Sequence, residues 1–250
     1  MVLNRFKASA LHLFSSFLVG GMAASCVFFV WYPQALAASC GVSNIFLMML
    51  GIDVVLGPIF TLLVFNPAKK SLRFDMAVIL SIQVAALSYG MYSVFVARPG
   101  YVVFYADRFD LVLANDIGAD KLAKVQDSRF KRLSWTRPPL VGVSVPSSGK
   151  GQEKILFRAL AGEGDAPQYP EYYVPYVSRK TEVLERLHPL SELLKTNPGR
   201  LAEIEALERR YSERVGGVGF LPLKGKVKDL AVIVARDTAE VLEFVDLSPW

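Results

Sequence analysis

Residues 50–74 read LGIDVVLGPIFTLLVFNPAKKSLRF, and this stretch decides the fold. Together with the preceding IFLMM it forms an apolar run, 45–65, of the length that crosses a hydrocarbon core of ~30 Å at ~1.5 Å per residue. One carboxylate, Asp53, lies inside that run. A charge at mid-membrane costs roughly 2.5–3.5 kcal/mol on insertion scales, so it marks a polar site within the span. Gly57-Pro58, just beyond it, predicts a kink. Lys69, Lys70 and Arg73 follow as a basic loop.

Two further runs of the same length flank this one, at 11–32 and 76–97. The sequence therefore predicts three spans over residues 1–97 and a polar domain over 98–250. Charge divides the same way. Arg5, Lys7, Asp53, Lys69, Lys70, Arg73 and Asp75 are the charged residues of the first region, and all the others fall in the second. The mean hydropathy of +0.34 reflects this apolar end. A domain of about 150 residues is large enough for a core of its own.

Positive charge on the cytoplasmic side orients the spans. Arg5 and Lys7 precede the first, Lys69, Lys70 and Arg73 lie between the second and third, and the loop Pro33–Asn44 is uncharged. The N-terminus and the 66–75 loop are thus expected in the cytoplasm and residues 98–250 outside it. Arg98 opposes this mildly, but long domains translocate largely regardless of charge. A cleaved signal peptide is the rival reading of the N-terminus, through Ala35-Leu36-Ala37-Ala38, and Ala37-Ala38-Ser39-Cys40 approximates a lipoprotein box. The apolar run is longer than such leaders carry and ends in bulky aromatics.

Depth along the spans places Ser88 and Tyr89 of the third level with Asp53, as its hydrogen-bonding partners. Gln83, roughly 8 Å nearer the cytoplasm, is the poorer candidate. Small residues at four-residue spacing (Gly20 and Ala24, Gly21 and Ser25, then Ala77, Ser81 and Ala85) let helices approach closely. No second carboxylate lies in a span, so a proton path is not supported. Leu50-Gly51-Ile52-Asp53 matches intramembrane aspartyl proteases only loosely, and the two-carboxylate mechanism lacks its partner.

The polar domain reads as α+β with antiparallel strands. YVVFYADRFDLVLAND, PLVGVSVP, FLPLK, LAVIVA and EVLEFVDL have strand composition, and EKILFRALAG, RKTEVLERLH and PGRLAEIEALERRY read as helices. Its near-neutral charge gives no case for nucleic acid. It has no cysteine, and its one histidine is His188, so neither a His-based triad nor a zinc site is expected. Gly216-Gly217-Val218-Gly219 lacks the Lys-Ser/Thr of a phosphate loop and reads as a turn. No catalytic, metal or cofactor-binding residues are predicted, and the chain is not expected to be an enzyme. The Pro/Tyr-rich stretch with Tyr169, Tyr172, Tyr173 and Tyr176 is the candidate protein-contact surface, and Arg129, Lys131, Arg132 and Arg137 form a basic run near the membrane exit that lipid headgroups would suit.

Several motifs recur together: Asp53-x-x-Leu56-Gly57-Pro58-x-x-Thr61-Leu62-x-Val64-Phe65, Lys69-Lys70-Ser71-Leu72-x-x-Asp75 and Gln83-x-x-Ala86-Leu87-x-Tyr89-Gly90. Ala97-Arg98-Pro99-x-Tyr101, Asp107-Arg108-Phe109 and the ending Val245-Asp246-Leu247-Ser248-Pro249-Trp250 complete the set. With these the chain resembles the type IV pilin accessory family, the TfpX/TfpZ-like membrane proteins of Gram-negative bacteria. The resemblance is dense over 50–110, and 115–220 carries no matching motif. It implies a non-catalytic, multi-pass inner-membrane factor with a periplasmic domain, acting on a type IV pilin in concert with the pilus assembly machinery. The bundle would cradle the pilin's transmembrane helix while residues 98–250 cap its head. Pilin as partner comes from the resemblance alone. A membrane-tethered periplasmic sensor is the alternative, weakened by small cytoplasmic parts; a membrane enzyme lacks a nucleophile–base pair.

Overall fold

The computed structural model describes residues 4–145, 149–162 and 164–250. They fall into two compact units: residues up to Val30 with Val42–Val96, and Trp31–Gly41 with Ala97–Trp250.

In the first unit, α1 (Arg5–Ser25) starts at Asn4, whose side chain accepts the Lys7 N–H, and continues as a π-helical turn through Cys26–Trp31. A short helix, α2 (Leu36–Ser39), belongs to the second unit. Then come α3 (Val42–Val64) and α4 (Leu72–Val96). Helix α1 with its π turn, α3 and α4 are each long and apolar enough to cross a membrane. Helix α3 contains Pro58, whose carbonyl accepts the Ser9 hydroxyl at 2.8 Å.

The second unit is built on a seven-stranded sheet. Its strands are β1 (Pro99–Tyr105), β2 (Arg108–Leu113), β3 (Leu140–Val143), β4 (Tyr173–Pro175), β5 (Val218–Lys224), β6 (Leu230–Ala235) and β7 (Val241–Val245). Their spatial order is β4-β3-β1-β2-β5-β6-β7. The β1–β2 hairpin and the β5–β6–β7 meander are antiparallel, as the sequence implies. The sheet is nevertheless mixed, because two joints are parallel: β1 with β3, and β2 with β5. The β1–β3 joint is parallel because the chain reverses twice, at the β1–β2 hairpin and again between β2 and β3; β4 then runs in the direction of β2, and the helical stretch between β4 and β5 brings β5 back in that direction. The helices are α5 (Ala119–Leu122), α6 (Gly149–Leu160), α7 (Lys180–Glu185), α8 (Leu193–Thr196) and α9 (Leu201–Arg210). Pro146–Ser148, where the third strand's end and the next loop are predicted, lie outside the described residues.

The period-two pattern of each strand sorts side chains to two faces. Val102, Phe104, Phe109, Leu111, Leu221, Leu223, Val232 and Val234 form one cluster. On the other face, Tyr101, Val103, Val112 and Val141 pack beneath Phe130, Ile155 and Tyr173, and Phe220, Ala231 and Ile233 pack beneath Leu190, Leu193, Ile204 and Leu207 of the α8–α9 region. The ending belongs to this second layer: Leu247 is buried, and Asn197 brackets Ser248 by donating to its carbonyl and accepting its N–H, each at 2.9 Å.

The first cluster is completed from outside the domain's expected boundary. Leu36, in the loop between the first two spans, is fully buried against Val102, Phe104 and their neighbours. The Ser39 carbonyl accepts the N–H groups of Lys226 and Val227 at 3.2 and 2.9 Å, and its hydroxyl donates to the Lys228 carbonyl at 2.8 Å. Gly225 is required beneath it, because a Cβ there would overlap both Ser39 Oγ and the Lys228 carbonyl oxygen. Gln34, held at φ +57°, accepts the Phe244 N–H at 2.8 Å. Burial pushes the Cys40 thiol up to about 12, so it stays protonated and unreactive. The uncharged loop assigned to the membrane region is thus structurally part of the polar domain.

Asp110 carries a pH-dependent cost. It faces Lys224 across the parallel joint, with Arg108 Nε 3.5 Å from its Oδ2, yet among the described residues neither of those two atoms completes a hydrogen bond. Burial pushes this carboxyl up to about 6 against the pull of Arg108 and Lys224. The folded state therefore binds the proton more tightly than the unfolded chain, whose aspartate titrates near ~3.9. Stability is lost as pH rises from ~4 through ~6, and nothing is lost below that window. Asp110→Asn is expected to stabilise the domain at pH 7.5 by about 1–3 kcal/mol and to leave it unchanged at pH 3.5. Melting curves at both pH values check this; an equal gain at both would show that the carboxyl is not what titrates.

Candidate functional site

Helix α3 is the centre of the membrane unit: α1 and α4 each pack along it and barely meet each other. Gly20 brings α1 close, since a Cβ there would press on Leu50 at 2.8 Å. Helix α4 approaches through Gly57 and Gly90. A Cβ on Gly57 would overlap Gln83, and one on Gly90 would overlap Met49. His12 Nδ1 lies 2.6 Å from Thr61 Oγ1 and ties α1 to α3 near one end. Of the small-residue rows, Gly20 works at a contact, whereas Gly21 has open space and Ala77, Ser81 and Ala85 are exposed.

This arrangement leaves a groove between α1 and α4 with α3 as its floor. Its volume is about 140 Å³. Ser15, Ser16 and Gly20 line one wall, Gln83, Val84 and Leu87 the other, and Leu50, Asp53 and Val54 the floor. Gln83 Nε2 donates to the Asp53 carbonyl at 3.0 Å. Among the described residues, Asp53 Oδ2 and Gln83 Oε1 are buried without any hydrogen-bond partner.

Ser88 and Tyr89 do not meet Asp53. Both are exposed, Tyr89 at 74%. Depth alone places the level of Asp53 nearly correctly, because Leu87 lines the same groove. The error is rotational. At ~100° per residue, Ser88 and Tyr89 turn away from the face shared by Gln83, Leu87 and Gly90. The reach of the Gln83 side chain makes up the difference in depth.

The tyrosine stretch is likewise not a free surface. Tyr169 and Tyr173 are buried, and Tyr173 stacks edge-on with Tyr101 at 4.9 Å. The Tyr173 and Tyr176 hydroxyls donate to the carbonyls of Pro167 and Ala239. Arg158 lies 4.6 Å from the ring of Tyr169, and Tyr172 packs beside the second cluster. Arg5, Lys7, Lys70 and Arg73 are exposed, and Lys69 pairs with Asp75 at 2.5 Å. Arg98 is buried and donates twice to the Ser134 carbonyl, at 3.0 and 2.8 Å, so its charge serves the domain's packing. His188 pairs with Glu192 at 3.1 Å at the start of a helical turn.

Three apolar helices and an appended mixed-sheet domain define a multi-span membrane protein with an extramembrane α+β unit. Residues 2–41 match the family model described as "Fimbrial assembly protein FimB", a segment that takes in α1 and the docked loop. Over 220 residues the chain is 30% identical to the fimbrial assembly protein of serogroup I from Dichelobacter nodosus, covering 87% of this chain and 85% of that one. The serogroup E1 protein of the same organism matches at the same identity and coverage. That of serogroups C1 and C2 is 38% identical over 118 residues, 46% of this chain and 90% of its own. The chain belongs to the fimbrial assembly protein family. No solved structure matches it.

Proposed function

We propose that this protein is a non-catalytic, inner-membrane accessory factor for type IV pilus biogenesis, of the TfpX/TfpZ kind, that holds a pilin before or during its assembly. One observation carries the reading: the membrane unit has an open groove between α1 and α4, floored by Asp53. Three helices arranged in this way lack the fourth that would close a bundle, and a pilin's membrane helix has the shape to supply it. The domain lies in the periplasm and the basic loops in the cytoplasm, on the positive-inside argument. The docking of residues 31–41 into the domain supports this, because that loop and the domain must share one side of the membrane. The domain would then face the pilin's head.

A photo-crosslinking residue at Val84, which lines the groove, is expected to give an adduct with the pilin in intact cells. Asp53→Asn is expected to lower surface piliation severalfold with the protein still present at normal level. Full piliation in that variant removes Asp53 from the mechanism, and absence of the adduct removes direct contact.

A further inference from the structure

Two oxygen atoms beneath the groove lack donors. Asp53 Oδ2 and Gln83 Oε1 are both buried and unpartnered among the described residues. Gln83 cannot resolve this by turning its amide over, because its nitrogen already donates to the Asp53 carbonyl at 3.0 Å. Both residues line the groove, whose other walls offer apolar side chains, the small Ser15, Ser16 and Gly20, and His12, whose Nδ1 is engaged by Thr61 Oγ1 at 2.6 Å; none of these reaches either oxygen. Unpaired acceptors are costly in a medium without water, where each missing hydrogen bond is felt in full. Lipid tails bring no donor. Small residues along α1 admit another helix at close range.

We propose that the groove selects a transmembrane helix bearing a side-chain N–H donor at the level of Asp53, with an amide or ammonium nitrogen whose hydrogens reach both Asp53 Oδ2 and Gln83 Oε1. Small turns of those two side chains present the oxygens to the incoming helix. This rests on the reading of the groove as a client's seat and adds the chemistry by which the client is told from other apolar helices. A helix without the donor gains the same apolar contact but leaves both acceptors unpaired.

The test uses the full chain in phosphatidylcholine vesicles with a photo-crosslinking residue at Val84. The probes are two leucine-based membrane-spanning peptides, one with a single central asparagine and one all leucine, each highly diluted in lipid to prevent self-association. The asparagine peptide is expected to give at least about fivefold more adduct, the scale of an interhelical hydrogen bond. Asp53→Leu should abolish that preference. Gln83→Leu should weaken it, and Asp53→Asn, which keeps the side chain's size, should weaken it with the domain's melting unchanged. Equal adduct yields from both peptides overturn the proposal, as does a preference that survives Asp53→Leu, or lipid adducts alone. A pilin adduct in cells combined with no peptide preference would sink this inference and leave the proposed function standing. A peptide preference without a pilin adduct would do the reverse.

Discussion

Leu36→Asp is expected to unfold the extramembrane domain while leaving the three spans inserted. Leu36 is fully buried in the cluster formed by β1, β2, β5 and β6, touching residues more than sixty positions away in sequence. Truncating such a leucine to alanine costs ~2–5 kcal/mol through lost transfer energy and the cavity left behind. Burying an unpaired carboxylate there costs more than a domain of this size has to lose, given a typical stability of ~5–15 kcal/mol. The escape route is to undock the segment, which also breaks the Ser39 bonds to the 226–228 turn and opens the apolar face to water. The expected result is loss of the cooperative melting transition and rapid proteolysis within residues 98–250, with Leu36→Ala intermediate. The check is limited proteolysis and near-ultraviolet circular dichroism of the full chain in detergent. A Leu36→Asp protein that melts within a few degrees of the parent would show that the loop is dispensable to the core.

Val84→Trp is expected to abolish surface pili without destabilising the protein. Val84 lines the groove, whereas Ile82, two residues away on α4, does not. Both are 64% exposed, so the two positions face equal demands from their surroundings. An indole at position 84 fills a cavity of about 140 Å³ and excludes any further helix. At position 82 it projects elsewhere. Tryptophan is well tolerated in spans, so insertion should be unaffected. The pair therefore separates a groove effect from a general effect of bulk: Val84→Trp should reduce piliation at least tenfold and Ile82→Trp less than twofold, at matched protein levels. Equal piliation in the two strains would place the client elsewhere.

Much of this architecture is legible in the chain because hydropathy and strand composition act locally. The spans at 11–32, 45–65 and 76–97 differ from the helices mainly at their ends, and each of the five expected strand segments appears. The sequence carries less about pairing. Nothing in PLVGVSVP says that it joins β1 in parallel. Loop 33–44 looks like a plain connector because burial of Leu36 and Ser39 depends on partners at 102–111 and 225–232. The tyrosines mislead for a similar reason. A Pro/Tyr run suits a contact surface or a core equally, and Tyr101 and Phe130, distant in sequence, decide for the core. At Asp53 the residue type and depth suffice to mark the floor of a groove, but its neighbour depends on the rotational phase of α4. That phase is set by Gly57 and Gly90 at the α3–α4 contact rather than by any periodic pattern.

The docked loop also imposes an order on biogenesis. Leu36 leaves the ribosome roughly 200 residues before Ala239, the most distant buried residue of the cluster; at ~5–20 residues per second this is a wait of about 10–40 s. Over that interval two more helices must enter the bilayer while an apolar, uncharged segment stands ready on the far side with nothing to cover it. The domain's last step of folding is therefore a closure across nearly the whole chain, slow by the measure of loop length. A copy whose second or third helix inserts the wrong way round leaves its domain on the side opposite Leu36, and so without the residue that seals its core.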